Sequence, residues 1–227
     1  MRICVFVEGP SERQFLDAIV KPYLYSKNPN VSSLWAVDIK GVGKYEAHKY
    51  TKLSRIIRTQ ICSDNTAIYT TLFDYYAFPK DSIPNFEFKK YSNPYKMVEK
   101  REAAFKEAIL AEDKLASFSG KVEFHPFLML HEYETFMYCD LEQLIHLRGS
   151  SDSVIKKLKN DVADFDNVEL INESAQTAPS KRIAGVIPSY NYQKTTNSLN
   201  VMNAIGIDEM LKQCLHFRKW IEWMCSL

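Results

Sequence analysis

The chain of 227 residues has few of the features that mark flexible, secreted or membrane-spanning proteins. It contains only 7 glycines, which argues against flexible linkers, and we find no internal repeat and no low-complexity segment. No apolar run approaches the length that crosses a bilayer. The run Ile3–Val7 ends at Glu8 and is too short for the apolar part of a secretory signal. We therefore expect a cytoplasmic protein with one sizeable hydrophobic core.

The cysteine pattern argues against a zinc site or a disulfide frame, and the net charge weakens the case for nucleic-acid binding without excluding it. The 5 cysteines are odd in number, widely scattered and without the C-x-x-C spacing of a zinc site or a disulfide frame. We expect them to be reduced and mostly structural. The formal net charge is only +1, so no global basic field attracts nucleic acid. A polyanion would have to be bound by local patches.

What the chain does have is a set of short apolar runs that end in carboxylates. Three runs share this pattern: Arg2–Val7 precedes Glu8 and Glu12, Ala67–Phe73 precedes Asp74, and Val122–Leu130 precedes Glu132 and Glu134. If the runs are parallel strands of one sheet, the acids gather at its carboxyl edge, where open α/β sheets bind ligands. Negative charge collected in this way costs free energy unless a cation offsets it, and Mg²⁺ prefers carboxylate oxygens. The pattern therefore predicts a site for Mg²⁺ or Mn²⁺.

The order of the predicted elements indicates an α/β fold. Leu34–Ile39 is a further strand candidate, and amphipathic helical stretches separate the runs. The first half reads β-α-β-α-β-loop-α-β, which is typical of a mostly parallel central sheet with helices on both faces. From Asp140 onward the pattern changes to helices and loops. We predict an α/β core over residues 1–139 and a helical C-terminal extension over residues 140–227, packed on the core.

Two of the acids follow the first predicted strand. Glu8 lies directly at the strand end, before Gly9 and Pro10, which predict the N-cap and the first position of a helix. Two rigid elements would thus fix its carboxylate, and we interpret Glu8 as a metal ligand and a catalytic residue. Glu12 takes the third helical position, where an acid either caps the helix or binds the metal. The sequence favours neither role.

The remaining acids also have competing interpretations. Asp74 ends an apolar strand, where aspartate is rare, and is either a catalytic metal ligand or the start of a turn. Glu132 and Glu134 share a face if the backbone stays extended. If the backbone turns helical they point roughly 200° apart, and only one of them reaches the site. His131 is left without a role, since a lone histidine is more often structural.

Two basic turns are candidates for contact with a nucleic-acid backbone. Residues 41–44 (Gly-Val-Gly-Lys) lack the earlier glycine and the following Ser or Thr of a Walker loop. Their amides and Lys44 can still meet a phosphate, although a plain strand-to-helix turn explains them as well. Thr177 predicts the cap of a helix that carries Lys181 and Arg182. These two cations either grip a phosphate backbone or are simply solvated.

Five longer motifs occur in order along the chain. They are Val7–Glu12, the turn at residues 41–46, Thr71–Tyr76, Leu130–Glu134 and Thr177–Arg182. Together with the closing Cys214–Phe217 segment they resemble the bacterial domain-of-unknown-function family four-two-seven-six over nearly the whole chain. That family is similar to the Toprim fold, the metal-binding catalytic domain of topoisomerases, primases and overcoming-lysogenization-defect (OLD) nucleases.

The resemblance implies a set of metal ligands. Glu8 corresponds to the glutamate of the first Toprim strand, Glu12 to the additional acid of the OLD group, and Asp74 to the first acid of the Asp-x-Asp motif. The chain departs from this pattern at Tyr76, which stands at the second aspartate. One usual ligand is therefore missing unless one of the two later glutamates replaces it.

The function that the resemblance implies is a Mg²⁺- or Mn²⁺-dependent, Toprim-like nuclease acting on DNA or RNA. It implies bacterial anti-phage defence and an ATPase partner, and an oligomer is compatible with it. The carboxylates would hold ions that orient water and stabilise the leaving oxygen, and Glu8 would also shuttle a proton. Tyr76 supports an alternative, a catalytically inactive binding or regulatory subunit of a defence complex. A third hypothesis is a primase-type nucleotidyl transferase that uses the same metals.

Overall fold

The computed structural model describes residues 1–39, 48–75, 78, 83–84, 93–111, 115, 122–171 and 176–227. Its strands are β1 (Arg2–Val7), β2 (Ser33–Asp38), β3 (Ile68–Asp74), β4 (Glu123–His125) and β5 (Leu128–Met129). Its α-helices are α1 (Pro10–Phe15), α2 (Lys21–Lys27), α3 (His48–Ser63), α4 (Pro94–Leu110), α5 (Asp152–Asp161), α6 (Pro179–Val186), α7 (Lys194–Ile205), α8 (Ile207–Gln213) and α9 (Leu215–Ser226). A π-helical turn, Leu16–Val20, joins α1 to α2. Short 3-10 helices cover Tyr133–Tyr138, Leu141–His146, Val168–Leu170 and Pro188–Gln193.

Strand β1 lies inside a parallel sheet. It pairs with β2 on one side and β3 on the other, so that Val5 stands opposite Ala36 and Thr70. The order is β2-β1-β3-β4, and β5 also pairs with β3. Because these pairs are parallel, the carboxyl ends of β1, β2 and β3 meet at one edge. The predicted mostly parallel sheet is confirmed.

Side chains of β1 alternate between two hydrophobic cores, one on each face of the sheet. Ile3, Val5 and Val7 belong to the larger core, which also includes residues of α1, α2 and the C-terminal helices. Cys4 and Phe6 belong to the smaller core with α3 and α4. All five side chains are fully buried, which explains why this strand is continuously apolar in sequence. Helices on both faces are therefore confirmed.

The C-terminal region is helical, as predicted, and packs against one face of the sheet. In α9, Phe217, Trp220 and Met224 are buried in the larger core. The indole N–H of Trp220 donates to the Oγ1 of Thr70 in β3 at 2.8 Å, and its ring stacks on Phe127 with centroids 4.7 Å apart. Across the described ranges, no helix combines the length and the apolar character needed to cross a bilayer.

Two local predictions are wrong. The run Val122–Leu130, predicted as one strand, is divided at Pro126 into β4 and β5, because proline has no N–H to contribute to a ladder. Both fragments still pair with β3. The N-cap of α6 is Ala178 rather than Thr177, and Pro179 takes the first helical position.

Candidate functional site

The carboxyl ends of β1 and β3 place two acids next to each other. Val7 stands opposite Leu72 in the sheet, so the chain leaves both strands at nearly the same level. The Oε1 of Glu8 accepts the backbone N–H of Asp74 at 2.9 Å. Glu8, which follows β1, is thereby joined to the backbone of Asp74, the last residue of β3.

Glu12 lies in the first turn of α1. Its Oε2 accepts the backbone N–H of Gly9, the N-cap residue, at 3.0 Å, which satisfies one of the free donors of the helix start. The capping role that the sequence left open is confirmed, and the metal role stays a prediction. Burial raises the pKa of Glu12, and the carboxylate of Asp38 at the end of β2 raises it further. Asp38 itself pairs with Arg13 at 2.9 Å.

Glu132 and Glu134 lie where the chain turns into the 3-10 helix Tyr133–Tyr138. Glu132 keeps an extended backbone, and its Oε2 accepts the N–H of Ser180 in α6 at 3.0 Å. Glu134 is 2 % exposed. The N–H of Tyr75 donates to the carbonyl oxygen of Met129 at 2.8 Å, so the segment that leads to both glutamates starts beside the end of β3. Both carboxylates raise the pKa of Asp74.

The five acids, which we call the carboxylate cluster, repel one another. The cluster consists of Glu8, Glu12, Asp74, Glu132 and Glu134. Burial raises the pKa of Asp74 well above its usual range, and the other four acids raise it further. Burial also raises the pKa of Glu8 to about 7, against the opposing effect of the Asp74 N–H and with the help of Glu12. The cluster therefore carries more negative charge than its surroundings offset, and it holds protons near neutral pH.

Lys194 brings a positive charge into the carboxylate cluster. It is the first residue of α7, and its Nζ lies 2.6 Å from the Oε1 of Glu134. Burial by itself would lower the pKa of Lys194, but Glu134, Glu132 and Asp74 outweigh burial and raise it. Sequence reasoning missed this residue, because an isolated lysine in a polar stretch carries no distinguishing signal.

The donor chemistry of the cluster suits a hard divalent cation, although the side chains do not converge on one point. Carboxylate oxygens are the ligands that Mg²⁺ prefers, and such an ion would relieve the excess of negative charge. Within the described residues, no group of three or more His, Cys, Asp or Glu is arranged to hold one ion. Three cluster acids accept backbone N–H groups instead, and a fourth pairs with Lys194. An ion would therefore bind only after these side chains turn toward it.

The two basic residues predicted in α6 lie in different surroundings. Lys181 is exposed. The side chain of Arg182 is 8 % exposed, its Nη1 lies 2.6 Å from the Oδ2 of Asp161, and its Nε donates to the carbonyl oxygen of Thr177 at 2.7 Å. These contacts join α6 to α5. They give Arg182 a structural role, and phosphate binding by either residue stays a prediction.

Other residues singled out in the sequence carry less weight. His131 is buried, and burial lowers its pKa to about 4, so its ring is neutral at physiological pH. Lys44, Tyr76 and the turn at residues 41–44 lie outside the described residues.

A second group, of two acids and a histidine, was also missed by sequence reasoning. We call it the helix-anchor group: Glu102, Glu169 and His216. Both oxygens of Glu169 accept backbone N–H groups at the start of α9, from His216 at 2.9 Å and Phe217 at 3.0 Å. The Oε1 of Glu102 accepts the N–H of Leu128 at 2.7 Å and lies 2.9 Å from the Nε2 of His216. The acids of this group are held by donors of the chain itself.

Comparison with known proteins gives one result. A family model described as "Domain of unknown function (DUF4276)" matches residues 7–225. The matched region contains the whole carboxylate cluster, Lys194 and the helix-anchor group. No curated protein and no solved structure gives a significant match to the chain.

Proposed function

We propose, from the premise that this chain belongs to the DUF4276 family, that it is a divalent-metal-dependent nuclease hydrolysing phosphodiester bonds of DNA or RNA. The observation that carries the proposal is the environment of Asp74, which lies at the edge of a parallel sheet. Burial and four other carboxylates raise the pKa of Asp74 there. Negative charge collected at a ligand-binding edge is useful when a cation binds there. The similarity of the motifs to those of Toprim enzymes favours phosphodiester chemistry at this edge.

In the proposed reaction, the carboxylate cluster holds Mg²⁺ or Mn²⁺. When bound, the ion would orient a water molecule and stabilise the leaving oxygen. Burial raises the pKa of Glu8 to about 7 in the metal-free protein, and in the proposed reaction Glu8 would take the proton of the attacking water. Asp74 anchors the site because its own backbone N–H holds the carboxylate of Glu8 in place.

Lys194 is a positioning residue in this proposal. Its ammonium offsets the charge of Glu134 before an ion binds, and it tethers the start of α7 to the cluster. The motif resemblance further supports an ATPase partner and a role in bacterial anti-phage defence. A cytoplasmic location, which rests on the short apolar runs and the cysteine pattern, also belongs to the proposal.

A cleavage assay tests the proposal. Purified protein with Mg²⁺ or Mn²⁺ should cut plasmid DNA, single-stranded DNA or RNA. Glu8→Gln removes the proposed proton acceptor and should lower the rate by at least about a hundredfold, since positioned proton transfer contributes that much. Asp74→Asn keeps the backbone N–H that holds Glu8 but removes a carboxylate from the proposed cation site, and it should lower the rate to a similar extent. Glu107→Gln changes an exposed acid of α4 in the same way and should cut like the wild type. Cutting that survives both cluster substitutions would refute the proposal.

A second candidate is a catalytically inactive binding or regulatory subunit. It is favoured by the absence of a formed three-acid centre among the described residues, together with the contact of Lys194 with Glu134. Calorimetry separates the two candidates. No heat of binding with Mg²⁺ or Mn²⁺, together with a stable complex with an ATPase, would favour the inactive subunit. Metal binding that Asp74→Asn abolishes would favour the nuclease.

A further inference from the structure

We propose that a cleft beside the carboxylate cluster binds an unstacked base and its neighbouring phosphate in single-stranded nucleic acid. This inference rests on the proposed function and names where the strand is held. The cleft has a volume of about 690 Å³ and is lined by Arg148, Ser189, Tyr192, Gln193 and Asn197. Ligand clefts in proteins typically measure roughly 300–1,000 Å³.

The cleft and the carboxylate cluster share one stretch of chain. Gln193 lines the cleft and directly precedes Lys194, whose Nζ lies 2.6 Å from the Oε1 of Glu134. The Oγ1 of Thr195, the next residue, lies 2.9 Å from the Oγ of Ser11 in α1. Helix α7 therefore begins against the cluster, and a strand seated in the cleft would pass close to the proposed catalytic residues.

Tyr192 presents an aromatic ring to the cleft. It is 88 % exposed, whereas the next most exposed large apolar side chain of the described residues, Ile145, is 44 % exposed. Two residues earlier, Tyr190 is fully buried, and its hydroxyl lies 2.6 Å from the Oγ of Ser198. The 3-10 helix Pro188–Gln193, which carries Tyr192, is thus held in place by the buried side chain of Tyr190. An exposed ring on a fixed backbone is the platform on which proteins stack bases of single strands.

Arg148 supplies the positive charge that a phosphate needs beside an acidic cluster. Its side chain is exposed and makes no ion pair with any residue in the described part of the chain. Its backbone is held in place, because Gly149 turns the chain with φ of 85° and the Oγ of Ser189 donates to the carbonyl oxygen of Arg148. The side-chain N–H of Asn197 donates to the carbonyl oxygen of Tyr190 at 3.1 Å, which leaves its side-chain oxygen to accept from a base edge.

Binding of labelled oligonucleotides, followed by fluorescence anisotropy, tests the inference. Ca²⁺ replaces Mg²⁺ so that cleavage does not interfere, and both DNA and RNA strands are used. Each strand is compared with an abasic strand of the same length. Tyr192→Ala should raise the Kd of the base-containing strand roughly tenfold or more and leave the abasic strand unchanged. Tyr192→Phe keeps the ring and should bind like the wild type.

Substitution of Arg148 should change the binding of the two strands in a different way from substitution of Tyr192. Arg148→Ala should raise the Kd of both strands and reduce the dependence of log Kd on log salt by about one, since one phosphate contact is lost. Lys52→Ala removes the same charge from the exposed side of α3 and serves as the control. It should change neither strand appreciably.

The binding readout separates this inference from the nuclease proposal. Loss of base-dependent binding in Tyr192→Ala supports the cleft even if the wild type cuts no substrate. Wild-type affinity in both Tyr192→Ala and Arg148→Ala would overturn the inference even if cleavage is efficient. A wild-type protein that binds neither DNA nor RNA would overturn it as well. Because both side chains are exposed, thermal unfolding of the variants should match the wild type.

Discussion

The carboxylate cluster and the helix-anchor group are two sets of buried or half-buried acids that differ in the number of donors that hold them. In the helix-anchor group, Glu169 accepts two N–H groups at the start of α9, where the helix dipole also favours an anion. Glu102 has both a backbone donor and the ring of His216. In the carboxylate cluster, five acids share three backbone donors, the Tyr190 hydroxyl and Lys194. The acids of the helix-anchor group thus have more donors per carboxylate than those of the carboxylate cluster.

Removing an anchor should have the largest effect on stability. Glu169→Ala leaves the N–H groups of His216 and Phe217 buried without an acceptor, so we expect the free energy of unfolding to fall by about 3 kcal/mol. Urea denaturation measures this change. Glu99→Ala is the control, because it removes an exposed ion pair with Lys219 and should cost less than about 1 kcal/mol. Equal losses in the two variants would contradict the contrast between anchored and exposed acids.

Removing a charge from the carboxylate cluster should raise the free energy of unfolding rather than lower it. The pKa of Glu8 rises from 4.5 to about 7 on folding, so the folded state favours the protonated form and loses stability as pH rises through this range. Without metal at about pH 8, Glu8→Gln should raise the free energy of unfolding by about 2 kcal/mol. At about pH 4 the variant and the wild type should be nearly equal.

Urea denaturation at both pH values checks this expectation. The amide oxygen of glutamine can still accept the Asp74 N–H that Glu8 now accepts, so the comparison isolates the charge. Glu107→Gln, the exposed control, should show no such pH dependence. A Glu8→Gln protein that is no more stable than the wild type at the higher pH would show that the cluster is already neutralised.

Exchanging Lys194 should have the smallest effect on the free energy of unfolding. It tests how far this lysine already offsets the charge of the carboxylate cluster. Lys194→Met removes the cation beside Glu134, and we expect the free energy of unfolding without metal to fall by about 1 kcal/mol. Added Mg²⁺ should then raise the melting temperature more in Lys194→Met than in the wild type, because more negative charge is left for the ion to offset. Lys194→Arg should behave like the wild type. An identical response to Mg²⁺ in all three proteins would argue against a cation site here.

Features that depend on local patterns were the ones that the sequence could predict. Strand β1 was predicted with its observed ends, because its residues are apolar on both faces of the sheet. The start of α1 was also predicted, because Gly9, Pro10 and Glu12 act within one turn. The order of strands placed the acids at one edge, since parallel strands end on the same side. The division at Pro126 was missed because the run Val122–Leu130 was interpreted as one strand across the proline, although proline cannot donate to a strand ladder.

Features that depend on distant contacts could not be predicted. Lys194 reaches Glu134 because α7 packs against the 3-10 helix Tyr133–Tyr138, and α7 also contacts α1 through Thr195 and Ser11. The helix-anchor group likewise joins residues of α4 and α9 that are far apart in the chain. Periodicity and capping rules describe neighbours along the polypeptide and are silent about such pairs.

Trp220 gives this protein a built-in optical reporter. It is 2 % exposed, and its indole bridges α9 to the middle of β3 through Thr70. A step that lifts α9 off the sheet would bring the indole into water and shift its emission to longer wavelength. The chain has two other tryptophans, Trp35 and Trp223, so a variant in which both are replaced by phenylalanine isolates the emission of Trp220. This emission, followed beside circular dichroism, can therefore show whether α9 detaches before the sheet unfolds or together with it.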